Sequence, residues 1–211
     1  MPPKSTGGEG AKVCIDLFSG TRSATKYFDK AGWEMHYAEI AEGVDVRTYH
    51  PPRADFVWAS PPCTEYSYIN KNFPTWQSKY RTAPMLWRSA MRVIREAQPR
   101  YWIIENVKGA QQVWGKAPYN YGGFFLWGYF PFELLPTIPW TTSLKGTHND
   151  RASGIRWHDN KTAAERAIIP DALARAVYDV CERSLDLPEE TETAEALSLE
   201  MFASPPTEEV A

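Results

Sequence analysis

Cys63 closes the tetrapeptide Ser60-Pro61-Pro62-Cys63, directly after the apolar run Phe56-Val57-Trp58-Ala59. Each proline fixes its own φ and keeps the residue before it out of the helical region, so the chain leaves the run along a stiff, defined path. A thiol at the end of such a path is a candidate nucleophile. Further along, a second apolar run, Tyr101-Trp102-Ile103-Ile104, ends in Glu105-Asn106-Val107. A thiol and a carboxylate on two strand ends suit covalent catalysis with an acid partner. The bland alternatives are a buried structural thiol and a carboxylate that caps the next helix.

The elements that must position these groups can be read from periodicity. Residues 13–18 form a buried strand ended by Ser19-Gly20. A helix over 23–31 places Ala24, Tyr27, Phe28 and Ala31 on one face, and Gly32 closes it. Residues 33–40 alternate as a second strand ending at Glu39-Ile40, and Asp45-Val46 ends a short third unit. Residues 55–60 form a fourth strand and 100–106 a fifth. Between them lie an aperiodic loop over 64–80 and a helix over 82–97, whose Met85, Leu86, Ala90, Val93, Ile94 and Ala97 face the sheet. This alternation predicts an α/β, Rossmann-like domain, a mostly parallel doubly wound sheet with helices on both faces. Such sheets bind ligands at the carboxyl ends of their strands. Residues 112–160 read as an irregular cap, with an apolar stretch near 124–132. A capping box at 162–165 and a stripe of Leu173, Val177, Val180 and Cys181 after Pro170 predict a last helix.

Composition narrows the setting. The chain has 211 residues, enough for one domain with a real core. It contains no apolar run long enough to span a bilayer. Residues 1–11 read as a flexible leader, 12–185 as the catalytic domain and 186–211 as a disordered tail. The three cysteines are odd in number and widely spaced. That argues against a disulfide scaffold and for a reducing cytosol. The four histidines show no metal-ligand spacing, so no metal is expected. Of the 26 acidic residues, eight fall in the tail, which has no Lys or Arg. The rest of the chain carries 23 basic against 18 acidic groups, a formal +5. A mildly basic body is compatible with nucleic-acid binding.

Asp16-Leu17-Phe18-Ser19-Gly20, Pro61-Pro62-Cys63 and Glu105-Asn106-Val107, in this order and each on a predicted strand end, resemble the DNA cytosine carbon-5 methyltransferases. The resemblance covers about residues 12–110, with a weaker match at Ile169-Pro170 and Leu173-Ala174. It implies methyl transfer from S-adenosylmethionine to carbon 5 of cytosine in DNA, without a metal. Cys63 is then the nucleophile at carbon 6, Glu105 the partner of ring nitrogen 3, and Asn106 a support of that strand end. The reacting atoms are stacked inside a duplex, so the base must be flipped out or already unpaired. The cofactor site implied by the resemblance comprises Asp16, Phe18, Ser19, Gly20 and Arg22, then Glu39 with Ile40, Asp45 with Val46, and Ser60 with Pro61.

Departures from the family pattern carry their own expectations. The glycine-rich turn is here Gly20-Thr21-Arg22-Ser23, with one glycine and an added cation. Arg22 is expected to meet the cofactor's carboxylate or a substrate phosphate. The Gln-x-Arg-x-Arg element that braces the cytosine is absent, and Arg151 and Arg156 are the substitutes. The large target-recognition domain of the family is missing, which leaves room for a protein partner supplying target recognition. Aromatics over 112–160, Trp114, Tyr121, Trp127, Trp140 and Trp157 among them, either stack unpaired bases or pack the cap, and the loop over 64–85, with Tyr66, is the better candidate for closing over a flipped base. RNA, a free nucleotide or a modified methyl donor remains as an alternative. So does a degenerate homologue that binds DNA or a partner.

Overall fold

The structure is a computed structural model and describes residues 10–64, 66, 83–136, 165 and 167–186. The expected leader, the acidic tail, most of the loop after Cys63, most of the capping box, Arg151 and Arg156 lie outside the described residues. Among those described, six strands form one sheet: β1 (Val13–Leu17), β2 (Glu34–Ala38), β3 (Phe56–Ala59), β4 (Tyr101–Asn106), β5 (Tyr119–Tyr121) and β6 (Phe124–Tyr129). Their spatial order is β2-β1-β3-β4-β6-β5. Strands β2, β1, β3 and β4 are mutually parallel, and β6 runs antiparallel to both β4 and β5.

Helix α1 (Lys26–Lys30) connects β1 to β2 in one direction, and α2 (Ala83–Ala97) connects β3 to β4 in the other. Right-handed crossovers in opposite directions put the two helices on opposite faces. The core divides accordingly. Cys14, Phe56, Trp58, Ile103 and Leu126 pack with Phe28 of α1 and with Leu173, Val177 and Cys181 of α4 (Asp171–Leu185). Ile15, Leu17, Val57, Ala59, Trp102 and Ile104 pack against Ala90, Val93, Ile94 and Ala97 of α2. The strict alternation along β1, β3 and β4 is the period of two that a sheet covered on both faces requires. The expected α/β, doubly wound architecture is therefore present.

Four expectations need correction. The Asp45-Val46 unit forms no strand. Gly43 takes a left-handed φ of 86°, and Arg92 of α2 reaches across to the carbonyl oxygens of Val46 at 2.9 Å and Tyr49 at 2.8 Å. A side chain there supplies the hydrogen bonds that a ladder would, and Pro51-Pro52 offers no backbone N–H to continue one. The first part of the supposed irregular cap is a short helix, α3 (Gln111–Trp114), followed by the β5–β6 hairpin that completes the sheet. Met85, expected toward the sheet, is exposed. Helix α1 is shorter than expected, with Ala31 as its exposed C-cap.

Gly128 explains why the hairpin is hard to read. Glycine inside an apolar run looks like a breaker, yet here it sits in mid-strand opposite Ile103. A Cβ at Gly128 would fall 2.1 Å from the Trp102 carbonyl oxygen, and its φ of 147° disfavours side chains independently. The close approach of β6 to β4 thus depends on glycine. Gly128→Ala should destabilise the fold by about 3 kcal/mol, read as a lower denaturant midpoint. An unchanged midpoint would mean that β6 is not seated against β4 in this way.

Candidate active site

The four parallel strands end on one edge, and every candidate motif stands there. The order of connection reverses between β1 and β3, which makes their carboxyl ends the switch point where ligands bind in such sheets. Ser60 extends the ladder past β3 by donating its N–H to the Leu17 carbonyl at 3.1 Å, and its hydroxyl accepts from the Trp58 indole at 2.8 Å. Pro61 is buried, Pro62 exposed and Cys63 half-buried. On β4, Glu105 and Asn106 are both buried. The buried Asn106 amide Nδ2 donates to the Pro61 carbonyl at 2.9 Å, and its Oδ1 accepts from Val107 N–H at 2.9 Å. One side chain thereby ties the Glu105 strand end to the Pro-Pro-Cys turn.

The three thiols differ as their surroundings dictate. Cys14 and Cys181 are fully buried among apolar groups. Burial pushes both thiols well up from their ordinary range, which keeps them protonated and unreactive. Cys63 alone stands at a strand end with partial exposure.

The turn after β1 is strained. Phe18 (φ 58°), Gly20 (φ 45°) and Arg22 (φ 55°) all take left-handed conformations. Arg22 thus holds a backbone conformation that glycine adopts more readily. Non-glycine residues held this way cost roughly 1 kcal/mol or more each, and such strain clusters at ligand sites. The turn is fastened from β2: Glu39 accepts from Gly20 N–H at 2.9 Å and from Ala41 N–H at 3.2 Å. It is fastened again from the segment just ahead of the last helix, where Ile169 N–H donates to the Ser23 hydroxyl at 2.9 Å. Tyr27 and Lys26 both meet Asp171 there as well.

These residues fit a polar, ribose-bearing ligand. The Ser19 hydroxyl oxygen is buried and has no hydrogen-bond partner among the described residues, which is costly unless another group answers it. Glu39 retains acceptor capacity beyond its two backbone bonds. Ile40, 67% exposed beside it, offers an apolar surface. Asp45 instead grips Arg47 in a bidentate pair, and this cation holds its carboxyl below the usual range. Arg22 is likewise engaged, with both Glu42 oxygens at 2.7 Å and its guanidinium 4.0 Å over the Tyr37 ring. Sequence reading missed Arg92, which fixes the Val46 segment. Nothing local marked it, because Arg92 shares the polar side of α2 with Arg88, Arg95 and Glu96.

Tyr66, Tyr121 and Trp127 are buried, so they serve packing and not base stacking. Trp140 and Trp157 lie outside the described residues. No group of His, Cys, Asp or Glu among the described residues could hold a metal. No helix among them is long and apolar enough to cross a membrane.

The fold and the converging strand ends define a Rossmann-like α/β architecture with its candidate site at the switch point. Residues 20–113 match the family model described as C-5 cytosine-specific DNA methylase. A probable DNA (cytosine-5)-methyltransferase of Frog virus 3 (isolate Goorha) is 31% identical over 140 residues, covering 54% of this chain and 65% of that one. The chain thus spans just under two thirds of that relative's length. Among solved structures, a putative DNA modification methyltransferase encoded within an E. coli prophage matches with a TM-score of 0.37 and 21% identity. That match covers 48% of this chain and 34% of the other. The Entamoeba histolytica methyltransferase EhMeth matches with a TM-score of 0.31 and 18% identity, over 49% of this chain and 40% of the other.

Asp16 gives the site a pH signature. It lies buried beneath the β1 turn and accepts from the Thr25 hydroxyl at 2.7 Å. Burial lifts its carboxyl from the ordinary 3.8 to about 7, against the lowering effects of Thr25 and Arg22. A raised folded-state value means the native chain binds the proton more tightly, so stability falls as pH rises between about 4 and about 7. At ~1.4 kcal/mol per unit, wild type should lose about 2–3 kcal/mol between pH 5 and pH 8 that Asp16→Asn does not lose. Urea unfolding at the two pH values measures this, and parallel losses in both proteins would contradict it.

Proposed function

We propose that this chain transfers a methyl group to carbon 5 of cytosine in DNA through a covalent adduct on Cys63. The observation that carries the reading is the Asn106–Pro61 hydrogen bond. It joins the thiol-bearing turn to the carboxylate-bearing strand end within a segment that matches the cytosine methylase family.

Carbon 5 of cytosine is a weak nucleophile. The Cys63 thiolate forms a bond to carbon 6, and the electron pair of the 5,6 double bond moves to carbon 5 and the ring. Glu105 meets the charge that develops at ring nitrogen 3 by hydrogen bonding or proton donation. S-adenosylmethionine, when bound, supplies an electrophilic methyl group whose bond to sulfur breaks as carbon 5 takes it. Loss of the carbon-5 proton to base and expulsion of the Cys63 sulfur restore the double bond. The β1 turn from Phe18 to Arg22, Glu39 with Ile40, Val46 with Asp45, and Ser60 with Pro61 would hold that cofactor. Asp45 would have to share its carboxylate with Arg47 to do so. A cytosine within a duplex must be flipped out to reach Cys63.

Replacing the carbon-5 hydrogen by fluorine blocks the last step and traps the adduct. DNA containing 5-fluorocytosine, incubated with the protein and S-adenosylmethionine, should give a stable complex whose modified peptide contains Cys63. Cys63→Ser should give none, and Glu105→Gln should slow its formation by about 10²–10⁴-fold. The proposal fails if wild-type protein forms no adduct with either duplex or single-stranded DNA.

A further inference from the structure

Cys63 is followed by a second anchor, on the side opposite Asn106. Tyr66 donates its backbone N–H to the Cys63 carbonyl at 3.0 Å, closing a tight turn. Its side chain is 3% exposed. The ring meets Trp114 edge-on at 4.9 Å, and the Tyr66 hydroxyl accepts from the Trp114 indole N–H at 3.1 Å. Trp114 is itself held between Trp87 of α2, at 4.2 Å, and Trp127 of β6, at 5.1 Å. The Trp127 indole in turn donates to the Gly115 carbonyl at 3.0 Å. Trp114 ends α3, the short helix that leaves the Glu105 strand. The segment after the acid therefore folds back and grips the segment after the nucleophile.

We propose that Tyr66, held by Trp114, is a positioning residue that sets the geometry of Cys63 for attack. Pro61 is fixed from upstream and Tyr66 from downstream, so the thiol rides on a short span tethered at both ends to the Glu105 strand and its continuation. An aromatic ring alone would fill the box. The hydroxyl adds direction, because it answers an indole N–H that would otherwise lie partly buried without this acceptor. A misplacement well under the length of a bond to carbon 6 is enough to slow a step that requires near-attack geometry. Which atom Cys63 attacks rests on the cytosine reading above; the tether itself does not.

Tyr66→Phe removes the hydrogen bond and leaves the aromatic box filled, Trp114→Phe removes the same bond and part of the ring packing, and Tyr66→Ala empties the Tyr66 side of the box. Both conservative variants should lower kcat and the rate of 5-fluorocytosine adduct formation by about five- to tenfold, the worth of one hydrogen bond. KM for DNA and for S-adenosylmethionine should stay within about twofold. The double variant should fall no further than either single one, since both delete the same contact. Iodoacetamide alkylation of Cys63 without DNA should change rate by about threefold or more in Tyr66→Phe at unchanged thermal midpoint. Unchanged kcat and alkylation in both conservative variants would overturn the proposal. If wild-type protein forms no DNA adduct, the cytosine reading fails and alkylation alone decides: equal rates in wild type and all three variants would also overturn the tether.

Discussion

One buried hydrogen bond organises the edge of the sheet where the motifs meet. Asn106 Nδ2 to the Pro61 carbonyl joins two parallel neighbours, β3 and β4, beyond the point where their ladder ends. An unanswered amide at that depth would cost about 1–3 kcal/mol, so the pairing is strongly specified once the strands are seated. Pro61 and Pro62 cannot donate to a ladder, and the chain needs this side-chain donor to fix its exit. The positions of Cys63 and Glu105 relative to each other follow from it. Strand β6 supports the same arrangement from the other side, and it can approach β4 only because Gly128 leaves the Trp102 carbonyl uncovered.

The β1 turn shows where the fold spends stability. A buried carboxylate at Asp16, left-handed Phe18 and Arg22, and an unanswered hydroxyl at Ser19 lie within seven residues of one another. Each of these features costs stability on its own. Each becomes intelligible if a polar ligand binds at the switch point and the surrounding bonds hold the turn open for it. Those bonds come from Glu39 on β2 and from Ser23 meeting Ile169 ahead of the last helix. Residues distant in sequence thus converge on one short loop.

Much of this was legible from the residues. Short apolar runs ended by Ser-Gly, Pro-Pro or Glu-Asn marked β1, β3 and β4, and the stripe from Leu173 to Cys181 marked the last helix. The illegible parts have physical causes. Residues 44–50 form no strand because a single distant side chain, Arg92, supplies their hydrogen bonds, and no local pattern encodes that. The β5–β6 hairpin was hidden by its glycines, one of which is required by backbone contact and not by a turn. Tyr66, Trp114 and Trp127 have the composition of a base-stacking surface, but the burial of Tyr66 and Trp127 and the hydrogen bonds of the two indoles assign them to packing. Composition alone could not separate the two uses.

The central claim is that Cys63 and Glu105 act together on carbon 5 of cytosines in DNA. Conversion sequencing of DNA from cells that express this chain, in a host without its own cytosine methylation, tests it most directly. The account predicts protected cytosines that vanish in cells expressing Cys63→Ser and are strongly reduced with Glu105→Gln. A map without protected cytosines in cells holding folded wild-type protein, or one unchanged by Cys63→Ser, would contradict it.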